Sequence, residues 1–141
     1  MWPIYLRARA FARNHGEPRY TAAKIFVHAA GFGDPDDRPE LAEHFGIATV
    51  EAMAAGCVPI VVNKGGQPEI VQHGTSGFVW NTLDELKGFT RMLMNDPELC
   101  ARMSRAARQR AQRFSQAAFL REMSRRAGIA TPYAAALPVS A

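Results

Sequence analysis

Short runs of β-branched and aromatic residues alternate along this chain with stretches whose apolar positions recur at helical spacing. Lys24-Ile25-Phe26-Val27-His28, Cys57-Val58-Pro59-Ile60-Val61-Val62 and Gly77-Phe78-Val79-Trp80 read as short buried strands, the second apolar on both faces as parallel sheets require. Between them, Ile47 to Ala55 is rich in helix formers and stops at Gly56, and a brief helix is predicted around Pro68-Glu69-Ile70-Val71. Upstream, Ile4, Tyr5, Ala8 and Phe11 fit one short helix ended by Asn14-His15-Gly16. The stretch from Gly31 to Leu41, with its glycines, prolines and acids, reads as a loop. Downstream, Thr82-Leu83-Asp84-Glu85 matches a capping box opening a helix to about Met94, and Asp96-Pro97-Glu98 starts another. In that helix Leu99, Met103, Ala106, Ala107, Ala111 and Phe114 form an apolar stripe. Ser115 caps a last helix, and the tail after Gly128 has little reason to fold. Alternating βα units predict an open α/β sheet with right-handed crossovers.

Composition narrows the class. At 141 residues, 48% hydrophobic and 21% charged, the chain is long enough for one core and ordinary enough to exclude a coiled coil or a collagen-like repeat. Cys57 and Cys100 lie far apart, so neither a disulfide framework nor a CxxC pair is available, and a reducing compartment is expected. Arg7, Arg9 and Arg13 precede any acidic residue, as in transit peptides, but serine enrichment is missing and no apolar signal core follows. The expected location is cytoplasmic, with membrane association as a further option. Residues 1–96 carry nine Lys and Arg against eleven Asp and Glu, while residues 97–141 carry eight against two. The basic balance therefore comes from one C-terminal segment, which reads as a solvated helix face or as a patch for an anionic surface. Only Phe114 and Phe119 interleave its arginines, so nucleic acid is not an expected partner.

The chemistry concentrates in Glu43-His44-Phe45-Gly46-Ile47-Ala48-Thr49-Val50-Glu51, with two carboxylates eight positions apart around a helix entrance. Gly46 leaves that entrance uncovered, so the free N–H groups near Phe45 to Ala48 can meet a phosphate under a favourable dipole. A carboxylate within the helix, Glu51, can accept hydrogen bonds from ribose or sugar hydroxyls. The competing readings are a glutamate that only complements the helix dipole, and a glycosidase acid/base pair, which one contiguous segment builds poorly. Gly65-Gly66 occupies a strand-to-helix turn, where open α/β sheets bind ligands, or is simply a tight turn. Lys64 faces a phosphate or water, and Glu69 a ligand or its own helix end. His28 and His44 stand near the site without a nucleophile elbow; His44, beside Glu43, is a candidate sugar contact. The acids Asp34, Asp36, Asp37 and Glu40 lack the glycine and glutamate positions of a calcium loop, so no metal is expected.

The stretch EHFGIATVEAMAAGCVPIVVNKGGQPEIVQHGTSGFVW resembles the donor-binding part of retaining GT-B glycosyltransferases, family 4 in particular. The matching features are the E-x7-E pair Glu43 and Glu51, the FG before the helix, EAMAAG, the GGxxE turn of Gly65, Gly66 and Glu69, and the later HGxxGF. The resemblance implies a partial Rossmann-like C-terminal domain: an N-terminal helical segment at residues 1–19, a partial donor-binding domain at 20–128 and a flexible tail at 129–141. It implies a nucleotide-diphospho sugar donor, with Glu43 on sugar hydroxyls as the catalytic-site carboxylate, the Phe45-Gly46-Ile47 backbone on the sugar or diphosphate, and Glu51 on the ribose. No cofactor and no catalytic metal are expected, and positioning and electrostatics, not a nucleophile, are the protein's roles. Members of that family precede this region with an acceptor-binding domain and the first strands of the donor domain. The expectation is thus a donor-binding piece that does not transfer sugar alone, its partners a missing N-terminal half or a membrane surface and its acceptor unknown. The alternative is a non-catalytic interaction module built on the arginine-rich C-terminal helices.

Overall fold

Three β-branched runs supply three strands. The computed structural model describes residues 23–34 and 46–128, so the predicted helix near the N-terminus, the loop from residue 35 onward, and the tail lie outside the described residues. Strands β1 (Ile25–His28), β2 (Val58–Val62) and β3 (Phe78–Trp80) form a sheet in the order β1-β2-β3. Both pairings are parallel: Val27 lies opposite Ile60, Ile60 opposite Phe78 and Val62 opposite Trp80. Parallel neighbours require crossovers, supplied by α1 (Ile47–Ala55) between β1 and β2 and by the single-turn α2 (Gln67–Ile70) between β2 and β3. Three longer helices follow, α3 (Leu83–Asn95), α4 (Pro97–Ala111) and, after a 3₁₀ turn at Gln112–Phe114, α5 (Gln116–Ala127).

The period of two along each strand sends alternate side chains to opposite faces. Val58, Ile60, Val62, Phe78 and Trp80 meet Leu93, Cys100 and Met103 on one side. Val61 meets Met53, Ile70, Val71, Ala107 and Ala111 on the other. Both crossovers therefore lie on one face, α3 lies on the other, and α4 contributes its first half to one core and its second half to the other. The predicted stripe of α4 needs one correction: Phe114 is 42% exposed, and Cys100, 7% exposed, takes a core position instead. The stripe extrapolated an α-helical period through residues 112–114, where the chain tightens into a 3₁₀ turn and the period changes.

Helix boundaries follow the signals in the sequence. Thr82 and Glu85 close a reciprocal capping box, and the Glu85 carboxylate also accepts the Asn81 N–H at 2.7 Å. That backbone bond above all holds the Glu85 carboxyl below its ordinary range. Asp96 accepts the Leu99 N–H at 2.9 Å, and Ser115 the Ala118 N–H at 3.2 Å.

The arginines do more than face solvent. Arg108 donates to the Ala55 carbonyl at 3.3 Å, and Ser104 to the Gly56 carbonyl at 2.7 Å, so α4 satisfies the carboxyl end of α1. Arg110 donates to the carbonyls of Ile70 at 2.9 Å and Glu69 at 2.6 Å, doing the same for α2. On α5, Arg125 and Arg126 both bond Glu122, at 2.7 and 2.6 Å. Gly77 shows why β3 sits where it does: a Cβ there would overlap the Pro59 carbonyl and ring, one residue before the β2–β3 pairing begins.

Gly77→Ala is expected to cost about 1–3 kcal/mol through that overlap, read as a lower urea midpoint at unchanged slope. Glu122 gives a second check. Its carboxyl is pulled from 4.5 to about 2, first by the Arg125 hydrogen bond and then by that of Arg126. A depressed carboxyl contributes above its unfolded pKa and loses that contribution as pH falls through its folded one. The small Tm advantage of the parent over Glu122→Gln is therefore full above about pH 5 and gone near pH 2, and it is smaller in high salt because the cluster is exposed.

Candidate functional site

A parallel sheet gathers the carboxyl ends of its strands along one edge, where the chain turns into each crossover. Here that edge collects the turn after β1, the start of α1, the Asn63–Gly66 turn after β2 and the Asn81–Thr82 turn after β3. Side chains tie these turns together. Lys64 Nζ donates to the Asp34 carbonyl at 2.6 Å, joining the turns after β1 and β2. Asn63 Nδ2 donates to Asn81 Oδ1 at 2.9 Å, joining those after β2 and β3. Phe32 leans on Trp80 with ring centroids 4.8 Å apart. Lys64 thus braces the edge, which neither of its two sequence readings foresaw.

The entrance to α1 is built as its sequence suggests. Gly46 is the N-cap in the left-handed conformation, φ 56°, and no side chain caps the helix. A Cβ on Gly46 would overlap Ile70 Cδ1 and press on Gln67 Nε2 at 3.1 Å, so this position admits glycine on two counts, backbone conformation and space. The first intrahelical bond is Val50 N–H to the Gly46 carbonyl at 3.1 Å, which leaves the N–H groups of Ile47, Ala48 and Thr49 without an intrahelical partner. A helix start of this form attracts anions.

Ile47 and Glu51, four positions apart, share the outer face of α1; Ile47 is 65% exposed and Glu51 is exposed. Glu51 lies beyond the first turn, where α1 carries no acidic residue, so dipole complementation accounts poorly for it. Among the described residues it makes no hydrogen bond or ion pair. Gly65 takes φ 57° in the turn after β2, and Gly66 is the uncapped N-cap of α2, whose first turn holds the exposed Glu69. Glu43, His44 and Phe45 lie outside the described residues.

Behind this surface is a polar contact that the sequence reading missed. Thr49 Oγ1 donates to Gln67 Oε1 at 2.8 Å, and neither residue has exposed surface. The Gln67 amide nitrogen in turn lies 3.5 Å from His28 Nε2. One glutamine thereby fixes α1, α2 and the end of β1 against each other, and with them the Gly46 and Gly65-Gly66 turns. A signal was available: Thr49 precedes Ala52 and Met53 by three and four positions, which places a polar residue on the buried stripe of α1.

Cutting this contact from one side strands a buried polar group. Thr49→Val and Gln67→Leu are each expected to cost about 1–3 kcal/mol. The double variant is expected to lose less than the sum, by about 0.5 kcal/mol or more, in urea unfolding. Strict additivity would mean that the two groups are not coupled.

Over 78 residues the chain is 38% identical to the GDP-Man:Man(3)GlcNAc(2)-PP-Dol alpha-1,2-mannosyltransferase of Dictyostelium discoideum, covering 55% of this chain and 15% of that protein. Over 89 residues it is 36% identical to the human Alpha-1,3/1,6-mannosyltransferase ALG2, covering 59% of this chain and 20% of that protein. The chain thus spans a fifth or less of the length of these curated relatives. Among solved structures, the sucrose-phosphate synthase of Thermosynechococcus elongatus superposes with a TM-score of 0.61 at 24% identity, over 77% of this chain and 26% of that one. Anabaena HepE in complex with UDP superposes with a TM-score of 0.56 at 28% identity, over 61% of this chain and 24% of that one. The α/β arrangement of a parallel sheet with helices on both faces is that of the GT-B glycosyltransferases. Residues 17–110 match the family described as Glycosyl transferases group 1, and the chain belongs to that family.

Proposed function

We propose that this chain binds a nucleotide-diphospho sugar along the carboxyl edge of its sheet, as part of the donor half of a retaining, family 4 glycosyltransferase. The observation that carries the reading is the start of α1: the N–H groups of Ile47, Ala48 and Thr49 have no intrahelical partner and no side-chain cap, and beside them stands an exposed carboxylate, Glu51, with no hydrogen bond or ion pair among the described residues. In this reading the backbone at Phe45, Gly46 and Ile47 meets the diphosphate or sugar, and Glu51 accepts hydrogen bonds from the ribose hydroxyls. Glu43 contacts the sugar hydroxyls at the reacting end, with His44 beside it, and the Gly65-Gly66 turn lets the donor approach the backbone closely. Anabaena HepE, which shares 28% identity with this chain, has structures in complex with UDP and with UDP-glucose, which supports the donor class.

The protein's contribution to transfer is then positioning and charge. The positive end of α1 offsets the charge gathering on the departing diphosphate, and the carboxylates hold the sugar against it. Neither Cys57 nor Cys100 is in a disulfide, both are buried, and burial pushes the Cys57 thiol above its ordinary pKa, which suits a reducing compartment. A cytoplasmic location belongs to the same proposal, as does the absence of sugar transfer by these 141 residues alone.

Thermal unfolding with UDP-glucose or GDP-mannose tests the reading. A donor at about 100 times its Kd stabilises the fold by about 2.7 kcal/mol, visible as a raised Tm. Glu51→Ala is expected to abolish that rise and leave the ligand-free Tm nearly unchanged, because the side chain is exposed and unpaired. An equal rise in Glu51→Ala, or none with any nucleotide sugar, would overturn the donor-binding reading. Release of free nucleotide by the chain alone would overturn its inactivity.

A further inference from the structure

We infer, resting on the donor-binding reading above, that the turn at residues 29–34 is a latch on the carboxyl edge of the sheet, held shut by Lys64 and opened when a donor's diphosphate draws that lysine away. The turn leaves β1 and crosses the end of β2, where Lys64 Nζ donates to the Asp34 carbonyl at 2.6 Å. It reaches β3, where Phe32 lies on Trp80 with ring centroids 4.8 Å apart. Its backbone closes on itself through Phe32 N–H to the Ala29 carbonyl at 3.1 Å and Asp34 N–H to the Gly31 carbonyl at 3.3 Å, with Gly31 at φ 83° and Gly33 at φ 85°. A Cβ on Gly33 would meet nothing within 4 Å, so at that point glycine conformation and not packing sets the turn.

The shut state is opposed from inside. Trp80 has no exposed surface, and among the described residues its indole nitrogen has no hydrogen-bond partner. A buried N–H in that condition disfavours the arrangement that buries it, and access to water relieves it. The ring contact and the lysine bond act against that tendency, so among the described residues few interactions separate shut from open. Lys64 supplies the link to the ligand. It directly precedes Gly65-Gly66, the turn on which the donor is placed, and its flexible stem reaches an anion seated there. An ammonium group gains more from a charged phosphate oxygen than from a neutral carbonyl. A ligand biases a two-state element only by contacting its states differently, and the lysine's change of partner is that difference.

Trp2 and Trp80 are the two tryptophans of the chain, so Trp2→Phe leaves Trp80 as the reporter. In that background, acrylamide quenching of the tryptophan lifetime is read beside isothermal titration with UDP-glucose. Saturating UDP-glucose is expected to raise the quenching constant about twofold or more, and inorganic pyrophosphate to do the same. Lys64→Met keeps the stem and removes the ammonium group. It is expected to show the raised constant without ligand, no further rise with it, and UDP-glucose affinity lower by about threefold or more. Phe32→Ala is expected to raise the ligand-free constant and to bind UDP-glucose no more weakly than the parent, an outcome that a purely structural contact would not give. Neither side chain belongs to a core cluster, so far-UV circular dichroism is expected to stay as in the parent. The latch is overturned, with the donor site left standing, if UDP-glucose binds without changing the Trp80 constant. It is equally overturned if Lys64→Met binds as tightly as the parent or keeps Trp80 as shielded. No heat of binding with any nucleotide sugar overturns the donor reading and the latch together.

Discussion

A hydroxyl and an amide with no access to solvent, Thr49 and Gln67, hold the carboxyl edge of the sheet in register. Burying two polar groups is unfavourable unless each satisfies the other, so this contact tolerates only one relative placement of α1 and α2. Gly46 reinforces the constraint sterically. With no side chain it lets Ile70 and Gln67 come against the backbone at the mouth of α1, and its left-handed conformation sets the direction in which the helix leaves. The turns at Gly46 and at Gly65-Gly66 are thereby held in a fixed relation, and groups held in place beforehand need not be ordered at the moment of binding.

The basic C-terminal segment serves this edge from behind. Arg108 and Arg110 reach from α4 to the last carbonyls of α1 and α2, the two short helices whose starts form the candidate site. A cation at a helix carboxyl end satisfies orphan carbonyls and complements the negative end of the helix dipole. The same helix carries Met103 into one core and Ala107 and Ala111 into the other, so it clasps the sheet as well as capping the crossovers. What reads in sequence as one run of positive charge therefore divides into arginines that build the fold and arginines that face outward on α4 and α5.

A helix start without a side-chain cap, a double-glycine turn and an exposed glutamate occur together on one sheet edge, and each alone has an ordinary structural explanation. Lys64 illustrates the limit of assigning roles by residue type: a cation next to a double glycine suggests a phosphate, and its ammonium group is found on the Asp34 carbonyl.

Much of the fold was written locally. Alternation of β-branched runs with helix formers gave the strand and helix order, apolarity on both faces of Cys57 to Val62 gave a parallel sheet, and the capping residues Thr82, Asp96 and Ser115 gave three helix starts to the residue. These succeed because caps and hydrophobic period act within one or two turns of chain. The extent of α1, from Ile47 to its stop at Gly56, was legible for the same reason. Tertiary structure alone decided which polar residues meet: Thr49 and Gln67 are 18 positions apart, Lys64 and Asp34 are 30, and Arg110 and Ile70 are 40. It also decided that the stripe of α4 ends before Phe114, where a 3₁₀ turn changes the period. Local sequence sets backbone conformation and the face each residue occupies, whereas the partner of a buried hydrogen-bonding group depends on how the crossovers pack on the sheet.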